Sequence, residues 1–327
     1  MKKVVVLTTG GTIASKKNID SGLLESGVID GNELLELCDV PSDIGIDIEV
    51  ESVFQKASMH ITYPDLLLLK QRIDFHLNKP EIDGVVITHG TDTLEETSYF
   101  LNLVTNHSKP IVVTGSQRSP NEIGTDSFVN IKHSILTACS PDLYDVGVVV
   151  VFNERIFHSK YVKKEHASNI QGFNSFGFGY IGIIDNGYVH VHQKPITNEY
   201  FQIKKGLPEV DIIKCYMDSD DKYIRTARES DIKGLIIEGV GRGQVSPKMV
   251  DEIKRCVEKG IKVVITTSAE EGEVYTTYDY SGSAYDLYKN GVILGRDYDS
   301  KKARIKLMVG LASEYPNIER IYDPSYH

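Results

Sequence analysis

Short apolar runs separated by turn residues dominate the first 190 positions. Residues 3–8, 47–54, 84–88, 110–114, 146–152 and 180–184 are rich in Val and Ile and too short for helices. That is the pattern of strands buried on both faces. Between several of them, apolar residues recur at helical spacing. Residues 64–77, opened by Thr62 as a candidate cap, form one such stretch, and 94–104 and 126–139 form two more. Strand and helix in alternation predict a parallel α/β sheet.

The rhythm fails over residues 190–206, which carry Pro195, Asn198, Lys204 and Lys205. This stretch reads as a linker, placed at 191–210. The pattern then restarts on a smaller scale. Strands are expected at 211–216, 234–238, 262–267 and 291–294, with helices at 247–259 and 301–313. The fold class is α/β: a larger N-terminal α/β domain (1–190) with a mostly parallel sheet, and a smaller C-terminal α/β domain (211–327). No internal repeat interrupts this order.

The chain has 327 residues, 41% of them hydrophobic and 25% charged, enough for two domains with substantial cores. Lys and Arg total 36 against 46 Asp and Glu, a net charge of −10. A chain of this sign repels phosphate backbones, which argues against general nucleic-acid binding. No apolar run approaches the ~18 residues that a membrane helix needs, so no membrane partner is expected. The opening imitates an export signal poorly. Only residues 4–7 are continuously apolar before Gly10 and Gly11, as in a strand ending in a tight turn. Cys38, Cys139, Cys215 and Cys256 are widely spaced and form no CxxC pair. They read as free, mostly buried thiols of a reducing compartment.

In open parallel sheets, ligands bind beyond the carboxyl ends of the strands. Two segments stand there. The first is Thr8-Thr9-Gly10-Gly11-Thr12-Ile13-Ala14, where two glycines permit positive φ and close backbone approach, aiming Thr12 at a ligand. A phosphate loop fails in detail, because Ser15 stands where its second glycine belongs and Lys17 is followed by Asn18. An ordinary turn of small residues remains the plain alternative. The second segment is Thr88-His89-Gly90-Thr91-Asp92-Thr93, a run of hydroxyls, an imidazole and a carboxylate. A helix starts directly after it, so Asp92 or Thr93 can serve simply as its N-cap. Capping explains Thr91 less well. His89 reads as a hydrogen-bonded residue that shapes the Thr91 turn.

Together these segments resemble the bacterial L-asparaginase family of threonine amidohydrolases, marked by TGGTIA and by HGTDT before an acidic helix start. The resemblance continues through VVTGSQRSPNEIGTDSFVN, VVVFNERIFHSKYVKK and GVILGRDYDSKKAR, and so covers nearly the whole chain. It implies a large and a small α/β domain, in agreement with the pattern above. It also implies hydrolysis of the side-chain amide of L-asparagine, with release of ammonia and without metal or organic cofactor.

Residue by residue, the resemblance places the family's catalytic threonines on Thr12 and Thr91, its lysine on Lys164 and its acidic partner on Asp92. An alcohol needs an adjacent base to attack at neutral pH, and the leaving nitrogen needs a proton. Thr12 is favoured as the attacking group, with Thr91, Lys164 and Asp92 as the relay. The division of attack and water activation between the two threonines stays open at this level. A desolvated Lys164 would carry a neutral amine more readily.

The resemblance places substrate binding on Ser58, Gly11, Gly90 and Asp92, on Ser116 through its backbone carbonyl, and on Gln244 across a subunit interface. Met59 departs from the family, which commonly offers Gln or Asn there. A thioether is a weak acceptor, so the same chemistry on L-glutamine, a D-isomer or another small amide is the alternative. A non-catalytic amino-acid-binding protein is the alternative of another class, although binding alone would not require Lys164. Residues 16–31 contain no tyrosine, and the region of Ser283, Ala284 and Tyr285 lacks a glutamate that some relatives carry. Both features fit cytosolic members and a cytoplasmic location. The resemblance further implies a homo-oligomer, dimer or tetramer, in which a neighbour contributes to the site. Two other candidates are weaker. Gly239, Gly241 and Gly243 suggest a dinucleotide loop, but Gln244 stands where its third glycine is needed. His190 and His192 share a strand face but lack an evident third metal ligand.

Overall fold

The computed structural model describes residues 1–327 except 19, 26, 30, 39–44, 197 and 324–327. The described chain divides into two compact units, Met1–Tyr200 and Phe201–His327.

In the first unit, β1 (Lys2–Gly10) leads through a short ribbon, β2 (Lys16–Lys17) with β3 (Leu24–Glu25), to helix α1 (Gly31–Cys38). Then come β4 (Ile46–Lys56), α2 (Tyr63–Leu77), β5 (Gly84–Thr88), α3 (Leu94–Val104), β6 (Ile111–Thr114) and α4 (Ser127–Ala138). The unit closes with β7 (Val148–Phe152), β8 (Arg155–His158), a second ribbon of β9 (Lys163–Lys164) and β10 (Phe173–Asn174), and the hairpin of β11 (Gly182–Asp185) and β12 (Tyr188–Val191).

Eight strands form one sheet in the order β12-β11-β8-β7-β6-β5-β1-β4. From β7 to β4 every pairing is parallel, and β8, β11 and β12 extend the sheet antiparallel. Strands β5, β6 and β7 are buried along their whole length. Helices α1 and α4 cover one face, and α2 and α3 the other. Burial on both faces explains why these strands read as continuous apolar runs. The edge strand β4 is only half-buried, and its sequence IDIEVESVFQK alternates accordingly.

After β1 the chain crosses to β4 on one side, then returns to β5 on the other. The strand order therefore reverses between β1 and β5, which makes the carboxyl ends of these two neighbours a topological switch point.

The second unit has a parallel sheet of β13 (Val210–Lys214), β14 (Gly234–Gly239), β15 (Lys262–Thr267) and β16 (Ile293–Leu294), in that order. Its helices are α5 (Lys222–Glu229), α6 (Val250–Glu258), α7 (Ala284–Lys289) and α8 (Ser300–Ala312). The stretch expected as one helix at 247–259 begins as a 3₁₀ turn at Pro247–Met249 before α6. The strand expected from 291 starts only at Ile293, because Gly291 has φ +83°. Within α8, Lys306 is buried, donates to the Tyr298 hydroxyl at 2.8 Å and lies over the Tyr298 and Tyr322 rings. A buried ammonium held this way keeps both a hydrogen bond and a π face.

All four cysteines are free. Burial pushes the thiol of Cys38 up to about 12 and those of Cys139 and Cys256 up to about 11. These three thiols are packing groups rather than nucleophiles.

Candidate active site

The end of β1 is shaped by two glycines that no other residue can replace. Gly10 has φ +103°, and a Cβ there would stand 2.5 Å from the Lys56 carbonyl oxygen. Gly11 has φ +84°, and a Cβ there would stand 2.4 Å from the Gly90 Cα. Positive φ and backbone contact together demand glycine. The Gly11 N–H donates to the Lys56 carbonyl at 3.1 Å, and Thr12–Ala14 forms one 3₁₀ turn, anchored by buried Ile13 and Ala14. Thr12 is half-buried at the start of that turn.

Three segments meet here. Thr9 Oγ1 donates to the Thr88 carbonyl at 2.8 Å and ties the ends of β1 and β5. The register Gly10↔Lys56 brings the end of β4 alongside, so that buried Ser58 follows in its own 3₁₀ turn. A Cβ on Gly90 would stand 2.9 Å from the Ser58 Cβ and 3.0 Å from its hydroxyl. Thus Gly90 packs against both Gly11 and Ser58, and Thr12 and Thr91 each follow one of the two touching glycines.

Thr91 is buried, and its Oγ1 accepts from Lys164 Nζ at 2.8 Å. The same Nζ donates to Asp92 Oδ1 at 2.7 Å. The Lys164 side chain is 15% exposed and that of Asp92 64%. One end of this chain of groups is therefore nearly dry and the other open to solvent. Thr91 Oγ1 in turn donates to Gln117 Oε1 at 3.3 Å. The geometry joins an alcohol, an amine and a carboxylate in series, which is what moving a proton to and from an alcohol requires.

His89 is wholly buried and its Nδ1–H donates to the Gly90 carbonyl at 2.8 Å. Burial drives its pKa down to about 4, against the opposing pull of that carbonyl. It is a neutral strut under the Thr91 turn, with Nε2 buried and unpartnered.

Ser116 spends its side chain locally. Its hydroxyl donates to the Arg118 carbonyl at 2.7 Å and accepts from Ser127 Oγ at 2.9 Å. Met59 lies next to Ser58 but is 69% exposed. Gln244 belongs to the second unit, where its Oε1 accepts from the Ala284 N–H at 3.3 Å. The glycine run beside it closes as a tight turn, with Val240 bridged to Gln244. Tyr161, three residues before Lys164, stacks on Phe178 with centroids 3.6 Å apart and planes at 16°.

Two residues enter that the sequence did not single out. Gln117 bridges the Thr91 hydroxyl to the His166 carbonyl, 3.1 Å from its Nε2, and so reaches the loop after Lys164. Its place just after β6, beside β5, was the available signal. Glu95 is buried in the first turn of α3, and its Oε2 accepts the Lys164 backbone N–H at 2.5 Å. In sequence it reads as an ordinary acidic helix start.

Among the described residues no cluster of His, Cys, Asp and Glu is arranged to hold a metal ion, and no helix is long and apolar enough to cross a membrane.

Comparison with known proteins covers both units. Positions 3–197 match the family described as asparaginase, N-terminal, and 209–323 match the glutaminase/asparaginase C-terminal domain. The L-asparaginase of Bacillus licheniformis is 59% identical over 312 residues, 95% of this chain and 96% of that protein. The glutaminase-asparaginase of Pseudomonas fluorescens is 31% identical, over 95% of this chain and 86% of its own. The crystal structure of a probable cytoplasmic L-asparaginase from Campylobacter jejuni superposes with a TM-score of 0.87 at 31% identity, covering 98% of this chain and 99% of that one.

Proposed function

This chain belongs to the asparaginase family, and on that premise we propose that it hydrolyses L-asparagine to L-aspartate and ammonia with Thr12 as nucleophile. The observation that carries the reading is the position of Lys164 Nζ, within hydrogen-bond reach of both the Thr91 hydroxyl and the Asp92 carboxylate.

Thr12 Oγ1 forms a bond to the substrate's amide carbon. Its proton passes to the Thr91 oxygen as the Thr91 hydroxyl turns its own proton from Gln117 towards the Lys164 amine. The C–N bond breaks, and the relayed proton leaves on the nitrogen as ammonia. A water molecule then adds to the Thr12 ester. One of its protons returns by the same path to Thr12, and L-aspartate departs. Asp92 balances the charge that Lys164 acquires, and its exposed carboxylate also suits the substrate's ammonium. Ser58, with Gly11 and Gly90 pressed against one another, provides the floor on which the substrate's polar end rests. The Ser116 backbone carbonyl serves the leaving nitrogen.

The test is ammonia release by Thr12→Ala and Thr91→Ala. Each is expected to fold as the parent and to lose most activity, since removing a member of a nucleophile–base set costs on the order of 10³-fold or more. Parent-like turnover by either variant removes that residue from the mechanism.

Met59 supports a second reading, the same reaction with L-glutamine, a D-isomer or another small amide preferred. Its exposed thioether provides no strong hydrogen bond beside Ser58, and one relative is a glutaminase-asparaginase. Comparison of kcat/KM for L-Asn, L-Gln and D-Asn decides; a clear preference for L-Asn ends it. We further place the enzyme in the cytoplasm, as a homo-oligomer, dimer or tetramer, whose neighbour brings Gln244 to the site. Light scattering that finds only monomer at working concentration overturns the assembly.

A further inference from the structure

The last residue of HGTDT, directly before the helix, invites a capping role for Thr93, and its backbone does sit at the N-cap of α3, with φ −122° and ψ 15°. Its carbonyl accepts from the Glu96 and Thr97 N–H groups at 3.1 and 2.9 Å, as an N-cap carbonyl should. Its hydroxyl does something else. It makes no capping bond to the helix and donates instead to the Ser58 carbonyl at 3.0 Å, across 35 positions of sequence. A capping threonine normally spends its side chain on the helix it starts. Here that bond is given up for a tie between two loops.

The tie has a partner from the same segment. Gly90 packs against the Ser58 side chain so closely that a Cβ there would stand 2.9 Å from the Ser58 Cβ. Ser58 is thus held by its carbonyl from Thr93 and by its side chain from Gly90. It sits in a single 3₁₀ turn, Ser58–His60, with an extended residue on either side. Within the turn the same carbonyl also accepts the Ile61 N–H at 3.2 Å, and the Thr93 hydroxyl adds the tie to the neighbouring segment. On the far side, the Asp65 carboxylate takes two bonds of 2.8 Å from Lys56 and one from the Thr62 N–H. The Thr93 bond fastens the turn to the segment that carries Thr91.

We propose that Thr93 is a positioning residue for substrate binding, acting through the Ser58 backbone and not through the helix it begins. The inference rests on the reading of Ser58 as a substrate contact. Thr93 touches neither Thr91 nor Lys164 through its hydroxyl, so its loss acts on binding and leaves the relay intact.

The experiment uses the full chain with L-asparagine. Thr93→Val keeps the shape and removes the donor. It is expected to raise KM about fivefold, the equivalent of one net hydrogen bond, with kcat within a factor of two and the thermal midpoint close to the parent's. Thr93→Ser restores the donor and is expected to return KM to the parent value. In the double variant with Ser58→Ala, the Thr93→Val effect on KM is expected to shrink, since both act at one contact. Should Thr93→Val fail to fold, Thr93→Ala removes the same donor with less bulk. An unchanged KM in Thr93→Val while Ser58→Ala raises it overturns the inference alone. Full additivity in the double variant, or a fall in kcat at constant KM, also overturns it. If Ser58→Ala itself leaves KM unchanged, the substrate role of Ser58 fails, and the inference with it.

Discussion

Lys164 Nζ stands 2.8 Å from the Thr91 hydroxyl although 73 positions separate the two residues. The contact exists because the ribbon β9–β10 carries Lys164 to the carboxyl end of β5. It yields the most direct prediction. Lys164→Met keeps much of the stem's packing and removes the amine. Loss of a positioned acid–base group lowers kcat by about 10²- to 10⁴-fold, and KM is expected to move far less. Asp92→Asn keeps an acceptor for Lys164 but removes the charge, so it is expected to lie between parent and Lys164→Met. Steady-state ammonia release on the three proteins checks the order. Equal activity in parent and Lys164→Met would remove the relay.

Gly11 and Gly90 set the distance between the two threonine turns. Gly11→Ala combines left-handed backbone with a Cβ 2.4 Å from the Gly90 Cα. The expected cost exceeds about 3 kcal/mol, the sum of backbone strain and a clash that only backbone movement relieves. Gly187 provides the control. Its φ is +79° but nothing lies within 4 Å of a Cβ there, so Gly187→Ala pays the left-handed term alone, about 1–2 kcal/mol. Urea unfolding of the two variants separates strain from contact. Similar losses for both would mean that the loops part easily and that their close approach is not enforced.

His89 makes the fold sensitive to acid. Burial holds it down to about 4 in the folded chain, against roughly 6.5 when unfolded. Between these values the unfolded chain takes up a proton that the folded chain refuses, so stability falls as the pH is lowered. The contribution is complete above pH ~6.5, and on the order of 3 kcal/mol is withdrawn by pH ~4. His133, lowered chiefly by burial, acts in the same direction. His89→Asn retains a donor for the Gly90 carbonyl and cannot titrate. Unfolding free energies measured from pH 4.5 to 7.5 are expected to fall less steeply for the variant. Parallel slopes would show that His89 is not the group that resists protonation.

Sequence pattern sees what is buried on both faces and misses what depends on neighbours. The runs at 84–88 and 110–114 announced β5 and β6 because every side chain in those strands is covered. The short hairpin strand β12 alternates exposed and half-buried residues and carried no such signal. The ribbon of Lys163 and Lys164 has only two residues per strand, below the reach of any periodicity. Helix α5, KYIRTARE, buries only Ile224 and Ala227, too few apolar positions to mark a face. At the site, glycines betray themselves because positive φ restricts residue choice, and the hydroxyl-rich strand ends betray themselves by composition. Gln117 and Glu95 do not, since a polar residue looks the same in sequence whether it meets water or a buried partner. Thr93 shows the same limit. Its type and place are those of a cap, and only the fold reveals that its hydroxyl bonds elsewhere.

Glu95 offers a way to separate position from charge in the relay. Its carboxylate is buried and accepts the backbone N–H of Lys164 at 2.5 Å. Removing the acceptor takes away the partner of that half-buried N–H, a loss of about 1–3 kcal/mol, and frees the strand that carries the amine. Glu95→Ala is therefore expected to lower both the thermal midpoint and kcat. Glu95→Gln retains an oxygen for the same N–H and differs chiefly in charge. If Glu95 acts by holding the Lys164 backbone, Glu95→Gln keeps most of the activity, within about fivefold of the parent on the scale of one hydrogen bond. If its negative charge also helps the amine through its protonated state, Glu95→Gln loses activity to the same degree as Glu95→Ala and shifts the pH profile of kcat. Melting curves with kcat at several pH values on both variants tell these apart. The 2.5 Å backbone bond favours the first outcome, because it fixes where the lysine begins and leaves Asp92 and Thr91 to meet its Nζ.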